Sequence, residues 1–484
     1  MKFLIEVGAR PAATQGLCRN ILAFGILLIR SRDLSANMPP STFHFPEQLR
    51  RNAPPPTAQR LQRAFCSTLP TATVHRQRRR ILRGARQRVR TASTTWQQSA
   101  NGDLQNMNVN MLGLATTFSL TLLASVAAPA PANAQANASA TKGLPFEVKP
   151  VGTFNSPWAM AFLPNGNMLV TQKEGTLILF DPASGSRRTV SGTPAVSSKG
   201  QGALMDVVPA PDFAASKLLY FSYSEAASGA DTRVVLATAT FDQAGGALKD
   251  TKVIFRGNDA STGGHYSGRI AFSPDGKYLF FTSGDRQLFD PAQDPKSTLG
   301  KVLRLNLDGT PAAGNPLAAK GFHAGVWSYG HRNLLGIAFD RQGRLWEMEM
   351  GPRHGDEINL IKPALNYGWP KASNGSHYDG RDIPDHAPGD GFEAPKVSWN
   401  PAISPGGLAY YDADLFPKWK NSLFITGLSG KSLDRIALDG ENASKVDHWD
   451  MGERIRAVRT GPDGALWLLE DGSRGRLLML TPKK

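Results

Sequence analysis

From Leu144 to the C-terminus the apolar residues come in short runs, none repeating at the three-to-four-residue spacing of an amphipathic helix, and Gly, Pro and Asp-Gly turns interrupt them at close intervals. This pattern predicts strands joined by tight turns. One unit recurs: an apolar strand, a Gly-containing turn and a second apolar strand. It reads AFLPNGNMLVT at 161–171, AFSPDGKYLFFT at 271–282, AFDRQGRLWEM at 338–348 and TGPDGALWLLE at 460–470. Asn165-Gly166 and Asp275-Gly276 are hairpin dipeptides whose residues tolerate positive φ.

The four turns centre on Gly166, Gly276, Gly343 and Gly464, which stand 110, 67 and 121 residues apart. Each wide gap holds one more strand candidate, LLYFSYS at 218–224 and SLFITGL at 422–428. This gives six units of roughly 55 to 60 residues, each long enough for a four-stranded antiparallel sheet. Radial repetition protects the edges of such sheets, so the expected fold is all-β, a six-bladed β-propeller over 144–484. A pair of β-sandwiches is the alternative, and it leaves the regular recurrence unexplained. A propeller gathers ligands at one mouth of its channel, so its site residues should be scattered along the chain, each beside a strand end.

Ahead of this region the composition changes. The net charge is +15, but residues 1–106 hold 17 of the 55 Lys and Arg and 4 of the 40 Asp and Glu, so that segment carries +13 and the rest +2. A basic nucleic-acid footprint on the folded part is therefore not supported. Both cysteines, Cys18 and Cys66, also lie in this leader, which removes thiolate catalysis, disulfides and cysteine-ligated zinc from the remainder. Arginines between Arg50 and Arg90 stand among Pro, Thr and Ala without apolar periodicity. That is the composition of a disordered segment: an RNA-binding arm, a transit peptide, or a stretch upstream of the true start. From Met111 an apolar stretch through Leu112, Leu114, Phe118, Leu120, Leu122, Leu123 and Val126 leads to Ala132-Asn133-Ala134, a small-x-small cleavage signature. Residues 107–134 thus read as a signal peptide cleaved after Ala134, or as a signal anchor if the whole leader is translated. Residues 135–143 read as a linker, and residues 144–484 as a periplasmic or secreted domain.

Candidate chemistry concentrates in Gly-rich turns. His265 follows Gly263-Gly264 and can serve as a general base, with Asp285 in TSGDRQ as the carboxylate that fixes its tautomer; a surface histidine is the plain alternative. Gly330-His331-Arg332-Asn333 sets an always-charged fork beside an amide, suited to an oxyanion or to bridging blades. Arg454 and Arg456 share a face if the segment is extended, which suits a polyanionic ligand or a solvated edge. Gly351-Pro352, Asp356-Glu357 and Tyr367 offer carbonyl, carboxylate and phenol oxygens, hard ligands that favour calcium over zinc unless the acidic pair is simply solvated.

At these residues the chain resembles the glucose/sorbosone dehydrogenase family of soluble quinoproteins, which includes aldose sugar dehydrogenases, from about Pro145 to Pro482. The likeness is carried by SPWAMAFLPNG, KGQGAL, GGHYSGRIAFSPDGKYLFFTSGD, GKVLRLNLDGT, YGHRN, the Gly-Pro turn with DEINL, NYGWP, SPGGLAYY and ERIRAV. The resemblance implies a six-bladed propeller that binds pyrroloquinoline quinone (PQQ) and calcium (Ca2+) and oxidises the C1 hydroxyl of aldose sugars to lactones, with hydride passing to the quinone. It implies His265 as the base, Asp285 as the residue that orients it, Arg332 and Asn333 around the quinone oxygens, and Gln201 in the active-site wall. Arg454 and Arg456 would neutralise cofactor carboxylates. Backbone oxygens of Gly351 and Pro352 would hold the catalytic calcium, and Glu357 and Tyr367 a separate structural one.

Two positions depart from the family pattern. The glucose enzymes carry an acidic residue just before the base, where this chain has Gly264, which points to broad sugar specificity. A cofactor-binding lysine aligns near Ser429, and the nearest one here is Lys431. The protein so described is a monomer or homodimer that passes electrons to a quinone, cytochrome or dye. The competing classes are a calcium-dependent propeller lactonase and a non-catalytic propeller binding module. Three cations, Arg332, Arg454 and Arg456, argue against a lactonase, which needs no anionic ligand, and a base paired with a carboxylate argues against a binding module.

Overall fold

A computed structural model describes residues 143–483 of the chain. The basic leader, the signal-like segment and the linker up to residue 142 lie outside them. Among the described residues, 24 strands form six four-stranded antiparallel sheets. The first blade is β2 (Pro157–Phe162), β3 (Met168–Gln172), β4 (Leu177–Phe180) and β5 (Arg187–Val190). The second runs from β6 (Leu204–Pro209) to β9 (Ala247–Arg256), and the third from β10 (Ser267–Phe272) through β11 (Tyr278–Ser283) to β13 (Val326–Tyr329). The fourth holds β14 (Leu334–Phe339), β15 (Leu345–Glu349), β16 (Asp356–Ile361) and β17 (Val397–Trp399). The fifth runs from β18 (Pro405–Tyr411) through β19 (Ser422–Gly427) to β21 (Asn442–Asp450).

The sixth blade is built from both ends of the described chain. β22 (Ile455–Thr460), β23 (Leu466–Glu470) and β24 (Gly475–Pro482) are completed by β1 (Phe146–Phe154), paired from Phe146 opposite Pro482 to Phe154 opposite Gly475. The first strands of the blades, β2, β6, β10, β14, β18 and β22, neighbour one another in a closed ring around the channel.

Every expected unit is a blade, and the four repeated strings are the hairpins between a blade's first two strands. Their glycines all take positive φ, 86° at Gly166, 70° at Gly276, 77° at Gly343 and 79° at Gly464. Each donates its N–H three residues back, to Leu163, Ser273, Asp340 and Gly461 respectively. Six apolar clusters fill the six seams between neighbouring blades. Because both faces of a blade are covered, strands such as LILF of β4 and SLFITG of β19 are buried at every residue, so they read as apolar runs instead of alternating.

All six inner strands share one irregularity near their start. The register slips between Pro157 and Ala159, Leu204 and Val207, Ser267 and Ile270, Leu334 and Gly336, Pro405 and Gly407, and Ile455 and Ala457. A bulge bends its strand and re-aims the flanking side chains, so six copies shape one mouth. Deeper along the same strands, Asp206 of the second blade meets Arg269 of the third at 3.7 Å and Arg459 of the sixth at 3.4 Å. Burial lowers the Arg269 guanidinium to about 10, against the pull of Asp206, so it remains charged at neutral pH.

Phe146 fastens the closing strand: its ring is buried and lies edge-on to Trp419 at 5.7 Å and Trp449 at 5.2 Å. Phe146→Ala should destabilise the protein by about 3 to 5 kcal/mol, read as a lowered denaturant midpoint.

Candidate active site

The bulged strand starts surround one cavity of about 400 Å³. Trp158, Gln201, Ser267, Asn333, Ser404 and Arg456 each reach it from beside a different inner strand. Residues just past second strands complete the wall: Lys173 after β3, Met350 after β15, Leu428 after β19 and Asp471 after β23.

His265 and Asp285 meet as expected. His265 Nδ1 lies 2.7 Å from Asp285 Oδ1, with both side chains buried. The backbone there is unusual: His265 has φ +52° and its N–H donates to Gln201 Oε1 at 2.7 Å. Glycines let the loops approach. A Cβ at Gly284 would stand 2.0 Å from the His265 carbonyl, and one at Gly263 2.1 Å from that of Arg286. Asp285 is held by three further contacts: Trp369 Nε1–H donates to Oδ2 at 2.8 Å, Gln287 N–H to Oδ1 at 2.9 Å, and its own N–H goes to the Arg332 carbonyl at 2.8 Å. Burial pushes the His265 imidazole below its usual 6.5; the Asp285 hydrogen bond opposes this and the nearby Arg332 charge adds to it. The ring is thus neutral at neutral pH. With Nδ1–H given to Asp285, the lone pair sits on Nε2, which has no hydrogen-bond partner among the described residues.

Across the mouth from this dyad, three blades away, lies positive charge. Arg456 is buried against the Trp158 ring, 4.4 Å from its centroid, and both Arg454 and Arg456 pair with Asp471, at 2.9 and 3.0 Å. Burial pushes the Asp471 carboxyl up, but the two guanidiniums outweigh it and hold it below its usual value. One carboxylate against Arg454, Arg456 and Lys173 leaves a net charge of +2 in the wall. The buried Trp158 Nε1–H has no partner among the described residues and remains available to a ligand acceptor. The volume lies in the ordinary range for cofactor pockets, and charge, aromatic wall and orphaned donor all fit the anionic quinone.

Other expected residues lie elsewhere. Lys431 is exposed and its ammonium donates to the Gly452 carbonyl at 3.1 Å, outside the cavity wall. Asn333 lines the cavity, whereas the Arg332 guanidinium turns to the carbonyls of Met350 at 2.8 Å and Gly351 at 2.5 Å, with Trp369 and Tyr378 beside it. These carbonyls at the end of β15 are strong acceptors for a buried cation. Gly351 O therefore already serves a guanidinium, and a calcium ion on Gly351 and Pro352 would meet like charge; this arrangement does not fit a metal there. The Tyr367 phenol is also engaged, donating to the Leu360 carbonyl at 2.7 Å and accepting from Lys362 N–H at 2.9 Å. It offers no free ligand oxygen.

Hard oxygens cluster instead on one face of β15 and β16. Glu347 stands opposite Asn359 and Glu349 opposite Glu357, all four buried, and His331 Nδ1 approaches Glu349 at 3.1 Å. Ligand atoms of His331, Glu347 and Glu349 lie within 4.8 Å of one another. Burial, reinforced by Glu349, drives the Glu347 and Glu357 carboxyls well above their usual value. Glu347 Oε1 and Asn359 Oδ1 are buried without a partner among the described residues. Crowded carboxyls and the orphaned oxygens of Glu347 and Asn359 fit a hard cation centred on Glu347 and Glu349, with Glu357, opposite Glu349, as a further donor.

Sequence reasoning missed Asp471, Lys173, Trp369, Arg286, Glu347 and Glu349. The signals were faint but present. Asp471 follows a second strand as Asp285 does, and Glu347 and Glu349 interrupt an apolar strand at spacing two. Arg286, buried over the Tyr266 ring at 3.7 Å, ties down the carbonyls of Thr232, Ser261, Gly263 and Gly264.

Two outcomes are expected. Calcium should raise the Tm of the protein without any quinone, by an amount equivalent to about 2.7 kcal/mol at 100-fold excess over Kd; Glu347→Gln should raise the metal-free Tm and shrink the calcium increment. Trp369→Phe should leave Asp285 Oδ2 underbonded and destabilise the fold by roughly 1 to 3 kcal/mol, measured by denaturant unfolding.

The Glucose / Sorbosone dehydrogenase family model matches residues 154–479. The aldose sugar dehydrogenase YliI of Escherichia coli is 40% identical over 337 residues, covering 68% of this chain and 90% of its own. The crystal structure of the soluble aldose sugar dehydrogenase from Escherichia coli in the apo-form superposes with a TM-score of 0.67 at 38% identity, over 70% of this chain and 100% of that one. The PQQ-bound form of aldose sugar dehydrogenase from Streptomyces coelicolor gives 0.59 at 34% identity, over 69% and 98%. With its propeller matched nearly end to end, the chain belongs to the glucose/sorbosone dehydrogenase family.

Proposed function

We propose that the protein oxidises the C1 hydroxyl of aldose sugars to lactones, with PQQ bound across the propeller mouth as hydride acceptor. The observation that carries this is one cavity whose wall joins Gln201, Tyr266 and Ser267, the immediate surroundings of the neutral His265–Asp285 dyad, to the cations Lys173, Arg454 and Arg456. The similarity to a relative described as PQQ-bound supports the choice of quinone. When bound, the quinone supplies a two-electron, hydride-accepting centre.

The chain's own residues do the rest. Arg454 and Arg456 hold carboxylate, and Asp471 keeps their guanidiniums side by side. His265 Nε2 takes the C1 hydroxyl proton as hydride leaves C1. Asp285, held in place by Trp369 and Gln287, holds the imidazole in the useful tautomer and stabilises the imidazolium that forms. Gln201 accepts the His265 N–H and so fixes the base from the cavity side.

Broad substrate range follows from Gly264. With no side chain at this position there is no carboxylate to read a sugar hydroxyl, and the Gln201 amide occupies the space, 2.5 Å from where a Cβ would stand. A structural calcium at the Glu347, Glu349 and Glu357 cluster is part of the same proposal. The apolar stretch from Met111 with its Ala132-Asn133-Ala134 signature supports work in the periplasm or outside the cell, where the electron acceptor would be a quinone or cytochrome.

Purified protein supplied with calcium and PQQ should reduce a redox dye with aldoses as donors; no dye reduction together with no PQQ binding would sink the proposal. His265→Ala should abolish turnover and leave PQQ binding intact. Because burial lowers the His265 pKa, the base stays deprotonated at neutral pH, and the acid limb of kcat/KM should have its midpoint below 6.5. Asp285→Asn removes a contribution that raises that pKa, so the limb should move lower still while kcat falls roughly 10²- to 10⁴-fold.

A further inference from the structure

We infer that Lys173 supplies a cofactor-binding cation in place of the lysine that the family pattern would put at Ser429. This rests on the quinone reading and concerns which residue completes its anion cradle. At the expected position the chain has a hydroxyl, which donates to Ser404 at 2.7 Å, and the neighbouring Lys431 is committed to Gly452 outside the cavity. The charge is instead supplied from the first blade.

Lys173 follows β3, and its backbone is clamped on both sides. Its N–H donates to the Ser156 carbonyl at 2.9 Å and its carbonyl accepts from Leu204 N–H at 3.3 Å. Ser156 N–H in turn donates to the Gly472 carbonyl at 2.9 Å, next to Asp471. Lys173 therefore stands at the seam between the sixth and first blades, beside Arg454 and Arg456. It is half-buried in the cavity wall and, among the described residues, has no carboxylate partner within 4.0 Å.

That absence sets it apart from the two arginines, which share Asp471. Without Lys173 this end of the cavity carries one net positive charge against a ligand with three carboxylates; with it, two. Three cations at the seam of the sixth and first blades, with His265 beside the start of the third, give the mouth a polarity. The cations at the sixth and first blades would hold the carboxylates of an anionic ligand, and the dyad lies on the far side of the mouth from them. An unshared ammonium in a partly desolvated wall interacts more strongly with an incoming carboxylate than one already paired.

The test is PQQ binding to the full-length protein in calcium buffer, followed by quenching of tryptophan fluorescence. Lys173→Met should weaken binding about 10-fold or more, Lys173→Arg should restore most of it, and Lys431→Met should bind as the unaltered protein does. The trimethyl ester of PQQ, which lacks the charges, should not distinguish Lys173→Met from the unaltered protein. Equal PQQ affinity in Lys173→Met and the unaltered protein, with Arg456→Met clearly weakened, would overturn the inference and leave the quinone reading standing. Failure of the unaltered protein to bind PQQ would overturn that reading, and this inference with it.

Discussion

Closure of the ring is the constraint on which everything else depends. A blade has two apolar faces and no means of covering both by itself, so each is stable only between two neighbours, and the last must meet the first. β1 achieves this by pairing with β24, which turns the sixth blade into a four-stranded sheet made from the two ends of the described chain. With the ring closed, six seams fill with side chains and no blade face is left to water. The inner strands are then held at fixed angular positions, and the mouth becomes a rigid rim.

The rim is where fold and chemistry meet. Six bulges at equivalent places re-aim the first residues of each inner strand, and the cavity wall is drawn from those residues and from the ends of second strands. Groups hundreds of residues apart in the chain therefore face one another, with Trp158 and Lys173 at one end of the sequence and Arg456 and Asp471 at the other. Opposite blades hold opposite functions. The third carries a buried histidine, His265, hydrogen-bonded to Asp285, and the sixth, with the first, carries net positive charge suited to an anionic ligand.

The fourth blade shows what a buried ionisable group does when its partner is not supplied by the chain. Arg332 Nη1 finds main-chain oxygens at Met350 and Gly351, at the expense of a metal seat on that carbonyl, while its buried Nε has no partner among the described residues. Glu347, Glu349 and Glu357 have too few donors for their charge, although Glu349 Oε2 accepts from the Arg332 N–H at 2.6 Å. Glu347 and Glu349 lie on one face of β15, Glu357 stands opposite Glu349, and two oxygens of the cluster, on Glu347 and Asn359, lack partners among the described residues, so a proton or a cation must take up the charge. The family resemblance implied one calcium seat at Gly351 and Pro352 and another at Glu357 and Tyr367. Geometry favours the carboxylates, because the Gly351 carbonyl and the Tyr367 phenol are already hydrogen-bonded within the protein.

By itself the sequence determined the number of blades, the hairpin turns and their glycines, the dyad of His265 and Asp285, and the pairing of Arg454 with Arg456. These are local facts: strand period, turn chemistry and a loop position relative to a strand end are encoded within a few residues. Only the tertiary structure decided that Lys173 and not Lys431 faces the cavity, that Asp471 is shared by the two arginines, that Trp369 holds Asp285, and that Arg332 lies on Gly351. Those contacts cross blades, and their geometry is set by the rotation accumulated around the ring and by which bulge aims a side chain inward, quantities to which every seam contributes and no short segment encodes.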